Sequence, residues 1–260
     1  MNLSRNARLG VLAALSLVAL VVLWLQGPIA QDPAYHRFAD TRTLFGVANF
    51  WNVASNLPFP ILGLWGLARV LPASWGRGPL DPLAAAQRPA WIVFFLGATI
   101  VGFGSGYYHL HPDNPSLVWD RLPMTLAFMG LFAALVGEHL DVRWGRRLLW
   151  PLLAVGLASV LWWHVTETQG RGDLRPYAAV QFLPLILIPG LLLAFPRPGR
   201  GPLWVVLALY ALAKALEYWD APILAAIGIT GGHAFKHVAA AAGIGVIAYW
   251  LGARARSGAA

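Results

Sequence analysis

The chain has 260 residues, 58% of them apolar and 12% charged, with a formal net charge of +8. Long apolar runs in so weakly charged a chain exclude a soluble globular domain and mark a polytopic membrane protein, because each membrane helix takes about 20 mostly apolar residues. The absence of cysteine excludes disulfides and thiolate metal sites, so any transition metal would use histidine and carboxylate.

Apolar windows fall at about 9–26, 49–71, 90–111, 120–139, 147–166, 177–195, 202–220 and 231–252, each long enough for a membrane helix. The expected fold class is an all-α integral membrane bundle of eight helices. Connectors such as Pro79-Leu-Asp-Pro82, Gly170-Arg-Gly172-Asp and Pro196-Arg-Pro198-Gly-Arg-Gly-Pro202 are short and rich in proline and glycine.

The first window follows Arg5 and Arg8 and ends near Pro28-Ile-Ala30. It is longer than a usual signal core and lacks a clean small-x-small site, so residues 1–30 are read as an uncleaved N-terminal helix, with a signal peptide as the alternative. The second window opens Asn49-Phe-Trp-Asn52-Val-Ala-Ser55-Asn56-Leu-Pro58, which strings Asn49, Asn52 and Asn56 along one stripe. Buried amides there either tie helices together or line a polar cavity.

The third and fourth windows meet at Ser105-Gly-Tyr-Tyr-His109-Leu-His111-Pro-Asp-Asn-Pro-Ser-Leu-Val-Trp-Asp120. Ser105 and His109 lie one helical turn apart, and Asp120 opens the next apolar stretch. An ionisable group at membrane depth costs roughly 2.5–3.5 kcal/mol on insertion scales, so such a cluster reads as functional. Glu167, Asp173, Arg175 and Gln181 follow the fifth window, where a loop could cover the site. Lys214, Glu217 and Asp220 on the seventh are spaced three apart, so Lys214 and Glu217 could neutralise one another or stand at a cavity mouth. The eighth opens with Gly231-Gly232-His233-Ala-Phe-Lys-His237. The thirteen tryptophans fit interfacial belts.

Basic residues sort by alternate loops. Arg5, Arg8, Arg69, Arg77, Arg88, Arg143, Arg146, Arg147, Arg197, Arg200, Arg254 and Arg256 fall on one side, against Arg37, Arg42, Arg121, Arg171 and Arg175 on the other. The positive charge is thus explained by cytoplasmic loops rather than by nucleic acid, and both termini are expected in the cytoplasm. In that topology His109, Asp120 and the His233/His237 pair converge near the outer face.

His233 and His237 share one helix face, as do Ser105 and His109. Two histidines from one helix and a third from a neighbour match a catalytic zinc site that keeps an open position for water. Asp120 could take or orient the water's proton, and Ser105 could support a ligand or an oxyanion. Structural readings stand beside these: His109 as an interhelical hydrogen bond, Asp120 as a helix N-cap, Ser105 as a close-packing small residue. His111 reads as solvent-facing, and His36, His139 and His164 as interfacial or loop residues.

Phe50-Trp-Asn52-Val-Ala-Ser55-Asn56, Gly104-Ser105-x-x-x-His109, Asp120 and His233-x-x-x-His237 together resemble the alkaline ceramidase family, within the wider CREST group of membrane hydrolases and receptors. The resemblance runs from about Tyr35 to Trp250. Phe38-Ala-Asp40-Thr-Arg42 and Gly172-Asp-Leu-Arg-Pro-Tyr177 are similar to its bacterial branch. It implies a seven-helix core over residues 31–252, preceded by the extra N-terminal helix and followed by a short cytoplasmic tail at 253–260. It implies zinc held by His109, His233 and His237, with Asp120 and Ser105 catalytic, and hydrolysis of the amide bond of a ceramide-like N-acyl lipid drawn from the bilayer of a bacterial plasma membrane. Eukaryotic members also bind calcium, but Asn49 stands where they carry a glutamate and the preceding segment offers mainly Asp32 and Asp40, which weighs against calcium dependence. The alternative is a lipid-responsive, zinc-containing receptor of the adiponectin and progestin type.

Overall fold

The computed structural model describes residues 3–71 and 80–257. Arg77 of the charge pattern and Pro79 of the second connector lie outside the described residues, as do positions 258–260 of the tail. Among the described residues the chain is helical and contains no strand.

Among the described residues, seven helices are long and apolar enough to cross a membrane: α1 (Arg5–Leu25), α5 (Arg88–Leu110), α6 (Asn114–His139), α7 (Val142–Thr168), α8 (Arg175–Ala194), α9 (Gly201–Tyr218) and α11 (Gly232–Ser257). The chain is an all-α membrane bundle. The 49–71 window differs from expectation, because it forms two helices, α2 (Phe50–Ala54) and α3 (Pro58–Val70). Pro58 and Pro60 lack the backbone donors that would extend α2 through this point. Short α4 (Pro82–Ala86) precedes α5, and α10 (Asp220–Ile227) joins α9 to α11.

The fourth window also begins earlier than its hydropathy suggests. α6 starts at Asn114, where Asp113 and Ser116 form a reciprocal capping box, satisfying two of the free amides at a helix start. Ser116 hydrogen bonds hold the Asp113 carboxyl below the usual carboxylate range. Asp120 is thus nearly two turns inside α6 and buried, which removes its N-cap reading. α11 continues to Ser257, so the first part of the expected tail is helical.

The larger apolar core lies between α3, α5, α6, α8 and α11; a smaller one, of Phe38, Tyr108, Leu117, Val118, Val160, Trp163 and Tyr177, lies toward the end that carries His109. Large apolar side chains such as Leu17, Trp150, Leu161 and Tyr249 are exposed, as helices facing lipid require. α1 buries no residue of its own and packs beside α8, where Arg8 Nη1 donates to Ala194 O at 2.7 Å. Trp91 and Trp163 are fully buried rather than interfacial. Trp91 Nε1 donates to Glu138 at 3.1 Å, and Arg254 joins Glu138 to Asp81, tying the opposite end of the bundle.

Candidate metal centre and cavity

α5 ends, α6 begins and α11 begins at the same end of the bundle. The helical period then brings His109, His233 and His237 together, all buried, with candidate donor atoms within 4.8 Å of one another. His109 Nε2 and His233 Nε2 are 3.4 Å apart. Two nitrogens held tetrahedrally at about 2.0–2.1 Å from one ion would be about 3.3–3.4 Å apart, so the donor set fits a metal ion.

Hydrogen bonds orient the donors. Ser55 Oγ donates to Asn52 O at 3.2 Å and meets His237 Nδ1 at 2.8 Å. With its proton given to the carbonyl, the hydroxyl oxygen accepts from Nδ1–H. This network assigns the tautomer that leaves His237 Nε2 free to ligate. Asp220 Oδ1 accepts from His233 N and Oδ2 from Ala39 N, both at 2.8 Å, which joins the start of α11 to the segment carrying Phe38. The Phe38 ring packs on His109 and His233 with centroids 4.7 and 4.6 Å away, and screens the donors from water.

Ser105 and Asp120 are both buried, and the serine hydroxyl lies beside the carboxylate. Both line one cavity of about 500 Å³ with the three histidines. Its deeper wall is apolar, running from Val101 through Ala98 to Phe94 on α5 and from Ile244 to Ile247 on α11. A volume and lining of this kind suit a small-molecule or lipid ligand.

The other polar residues now have positions. Asn49 Nδ2 donates to His109 O at 2.9 Å, Asn52 Nδ2 to Asp40 O at 3.0 Å and Asn56 Nδ2 to Asn52 O at 2.7 Å; the asparagine stripe is a set of ties. Arg42 grips Asp40 through Nε at 2.9 Å and Nη2 at 2.7 Å, holding that carboxyl below the usual range. Arg175 does the same to Asp173. Glu167 accepts from Gln31 N at 3.1 Å, and Gln181 Nε2 donates to Tyr210 OH at 3.0 Å. Glu217 is shared between Lys214 and Lys236, and all three line the cavity.

His111 is exposed. His36 bridges Tyr108 OH at 3.0 Å and Asn114 Oδ1 at 2.9 Å. His139, expected at an interface or in a loop, is buried at the end of α6 with Nδ1 2.9 Å from Phe195 O. Sequence reasoning missed the roles of Phe38, Ser55 and Asp220 because each acts across more than 100 residues of chain or through an apolar ring. Lys236, lying between the two histidines of α11, carried a local signal.

A family model described as Ceramidase matches residues 42–186, more than half of the chain. No curated protein matches it. The matched segment holds Ser105, His109 and Asp120, while His233 and His237 lie beyond it and reach the same cavity through the fold. The chain therefore belongs to the ceramidase family, hydrolases of the ceramide amide bond.

Proposed function

We propose that this protein is a zinc-dependent membrane hydrolase that cleaves the amide bond of a ceramide-like N-acyl lipid, releasing a fatty acid and an amine. The observation carrying this reading is the convergence of His109, His233 and His237 with Asp120 and Ser105 on one largely apolar cavity. His109, His233 and His237 would hold the ion. When bound, zinc supplies Lewis acidity, making water easier to deprotonate and an amide carbonyl easier to attack. Asp120 takes the proton of the attacking water and returns it to the leaving nitrogen, so that water and amide become carboxylic acid and amine. Ser105 keeps the carboxylate aimed. The apolar wall of α5 and α11 receives the acyl chain and excludes water around it. The family match does not favour the receptor reading.

The arginine distribution supports cytoplasmic termini and a site near the outer face of a bacterial plasma membrane. The asparagine at position 49 and the engagement of Asp40 by Arg42 weigh against a calcium requirement.

Metal content of detergent-purified protein tests the centre. About one zinc per chain is expected in the wild type and almost none in the His233→Ala, His237→Ala double variant; a well-folded wild type without zinc refutes it. Asp120→Asn should keep the zinc yet lose roughly 10²–10⁴-fold in fatty acid release. Full turnover in that variant would remove Asp120 from the mechanism.

A further inference from the structure

Arg121 follows Asp120 on α6 and lines the same cavity. It is only 5% exposed. Its guanidinium carbon lies 4.2 Å from the Trp163 ring centroid, 4.7 Å from that of Tyr177 and 5.7 Å from that of Tyr35. Nη2 donates to Gln31 Oε1 at 2.7 Å. Nη1 is buried and has no acceptor, and none of the ion pairs among the described residues involves Arg121.

The neighbouring charges do not supply that missing partner. Glu217 is held by Lys214 and Lys236. Asp32 caps the short 3₁₀ turn at Pro33–His36 through Ala34 N at 2.8 Å. Asp120, next to Arg121 in the chain, attracts it at longer range but makes no ion pair or hydrogen bond with it. A guanidinium keeps its charge under all ordinary conditions, and burying a charge without a counter-charge is costly. Aromatic faces and one amide oxygen offset only part of that cost. What remains is a donor edge suited to carboxylate or phosphate oxygens, in the wall of a cavity whose far end is apolar.

We propose that Arg121 anchors an anionic oxygen group, carboxylate or phosphate, on the polar end of the substrate, so that the preferred substrates are N-acyl lipids with an acidic headgroup. The substrate then spans the cavity, with its acyl chain along Val101, Ala98 and Phe94 and its acidic group at Arg121. Lys214, half-exposed, attracts the same charge from outside. This proposal rests on the hydrolase reading for its substrate and on the Arg121 environment for its site.

The test uses the metal-loaded protein in neutral detergent. One acyl chain is offered as three amides: of a neutral amino alcohol, of an amino acid, and of an O-phosphorylated amino alcohol. In the wild type, kcat/KM for at least one acidic amide should exceed that for the neutral amide by about tenfold or more, as a charge-assisted hydrogen bond predicts. The two acidic arms identify carboxylate or phosphate. The acidic-to-neutral ratio should fall toward one in Arg121→Gln and lie between in Arg121→Lys, which keeps the charge without the fork. A wild-type ratio of one or less overturns the proposal, as does a ratio unchanged in Arg121→Gln.

Binding gives a readout independent of turnover. A long-chain carboxylate or alkyl phosphate should bind the wild type at least about tenfold tighter than the alcohol of equal length, and lose that advantage in Arg121→Gln. An Arg121-dependent preference without hydrolysis of any amide upholds the subsite and refutes the hydrolase reading. Hydrolysis indifferent to headgroup charge does the reverse.

Discussion

Single side chains set the chemistry of the histidine centre. Ser55 is the clearest case, because its proton is used on Asn52 O and its oxygen is left for His237 Nδ1–H. Ser55→Ala should weaken metal affinity by about 10–100-fold, the usual effect of losing a partner behind a ligand; chelator competition reads it, and unaltered affinity refutes the tautomer assignment. Two glycines of α5, two residues apart and so on nearly opposite faces of the helix, behave oppositely. A methyl group on Gly104 would lie 2.1 Å from the Trp119 carbonyl oxygen, whereas one on Gly106 meets nothing within 4 Å. Gly104→Ala should destabilise by about 1–3 kcal/mol through overpacking and lower turnover by parting Ser105 from Asp120. Gly106→Ala should be neutral or stabilising by up to about 1 kcal/mol. Thermal unfolding of the two variants separates these outcomes. At this scale the spacing of Ser105, His109, His233 and His237 was legible in the chain. Ser55 and Asp220 were not, since Ser55 meets His237 and Asp220 meets Ala39 N across more than 180 residues of chain.

Elements bring those side chains together. The segment from Gln31 to Asn49 closes over the histidines through Phe38 and is pinned by Asp40, which receives Arg42. Arg42 also donates to Gly228 O at 3.2 Å and to Ile229 O, joining the segment to the loop before α11. The folded Asp40 carboxyl is held below its ordinary value. Its contribution to stability is therefore complete above the unfolded pKa of about 3.9 and is lost as pH falls through the lower folded value. Asp173 has the same sign. Asp40→Asn should lower the melting temperature at pH 7 relative to wild type, and the two melting curves should converge in acid. A difference that persists unchanged below the folded pKa would show that the ion pair is not its source. The division of the second window into α2 and α3 also belongs at this scale. Hydropathy averaged over 49–71 conceals the prolines at 58 and 60, although both are visible as residues.

At the scale of the whole molecule, the histidine centre and the Arg254–Glu138–Asp81 tie occupy opposite ends of the bundle, with the apolar cavity reaching inward from the first. α1 contributes no buried residue. A chain beginning at residue 26 should thus retain its metal stoichiometry, measured by mass spectrometry after purification; loss of metal would make α1 part of the core. The arginine pattern predicts that a reporter requiring export is inactive when fused to the C-terminus. An active fusion would invert the proposed topology.

Hydropathy and the helical period, both local properties, settled the membrane class, seven of the eight apolar windows as single long helices, and the pairing of His233 with His237 on one face. They also placed Ser105 and His109 one turn apart. Only tertiary structure decided that His109 meets His233 across 124 residues of chain, because that depends on how α5 and α11 pack. The same packing turned the asparagine stripe into ties, gave Glu217 two lysines, and left Arg121 among aromatic rings with no carboxylate in ion-pair contact. A charged residue reads alike in sequence whether or not its counter-charge is near, and only the assembled helices distinguish the two.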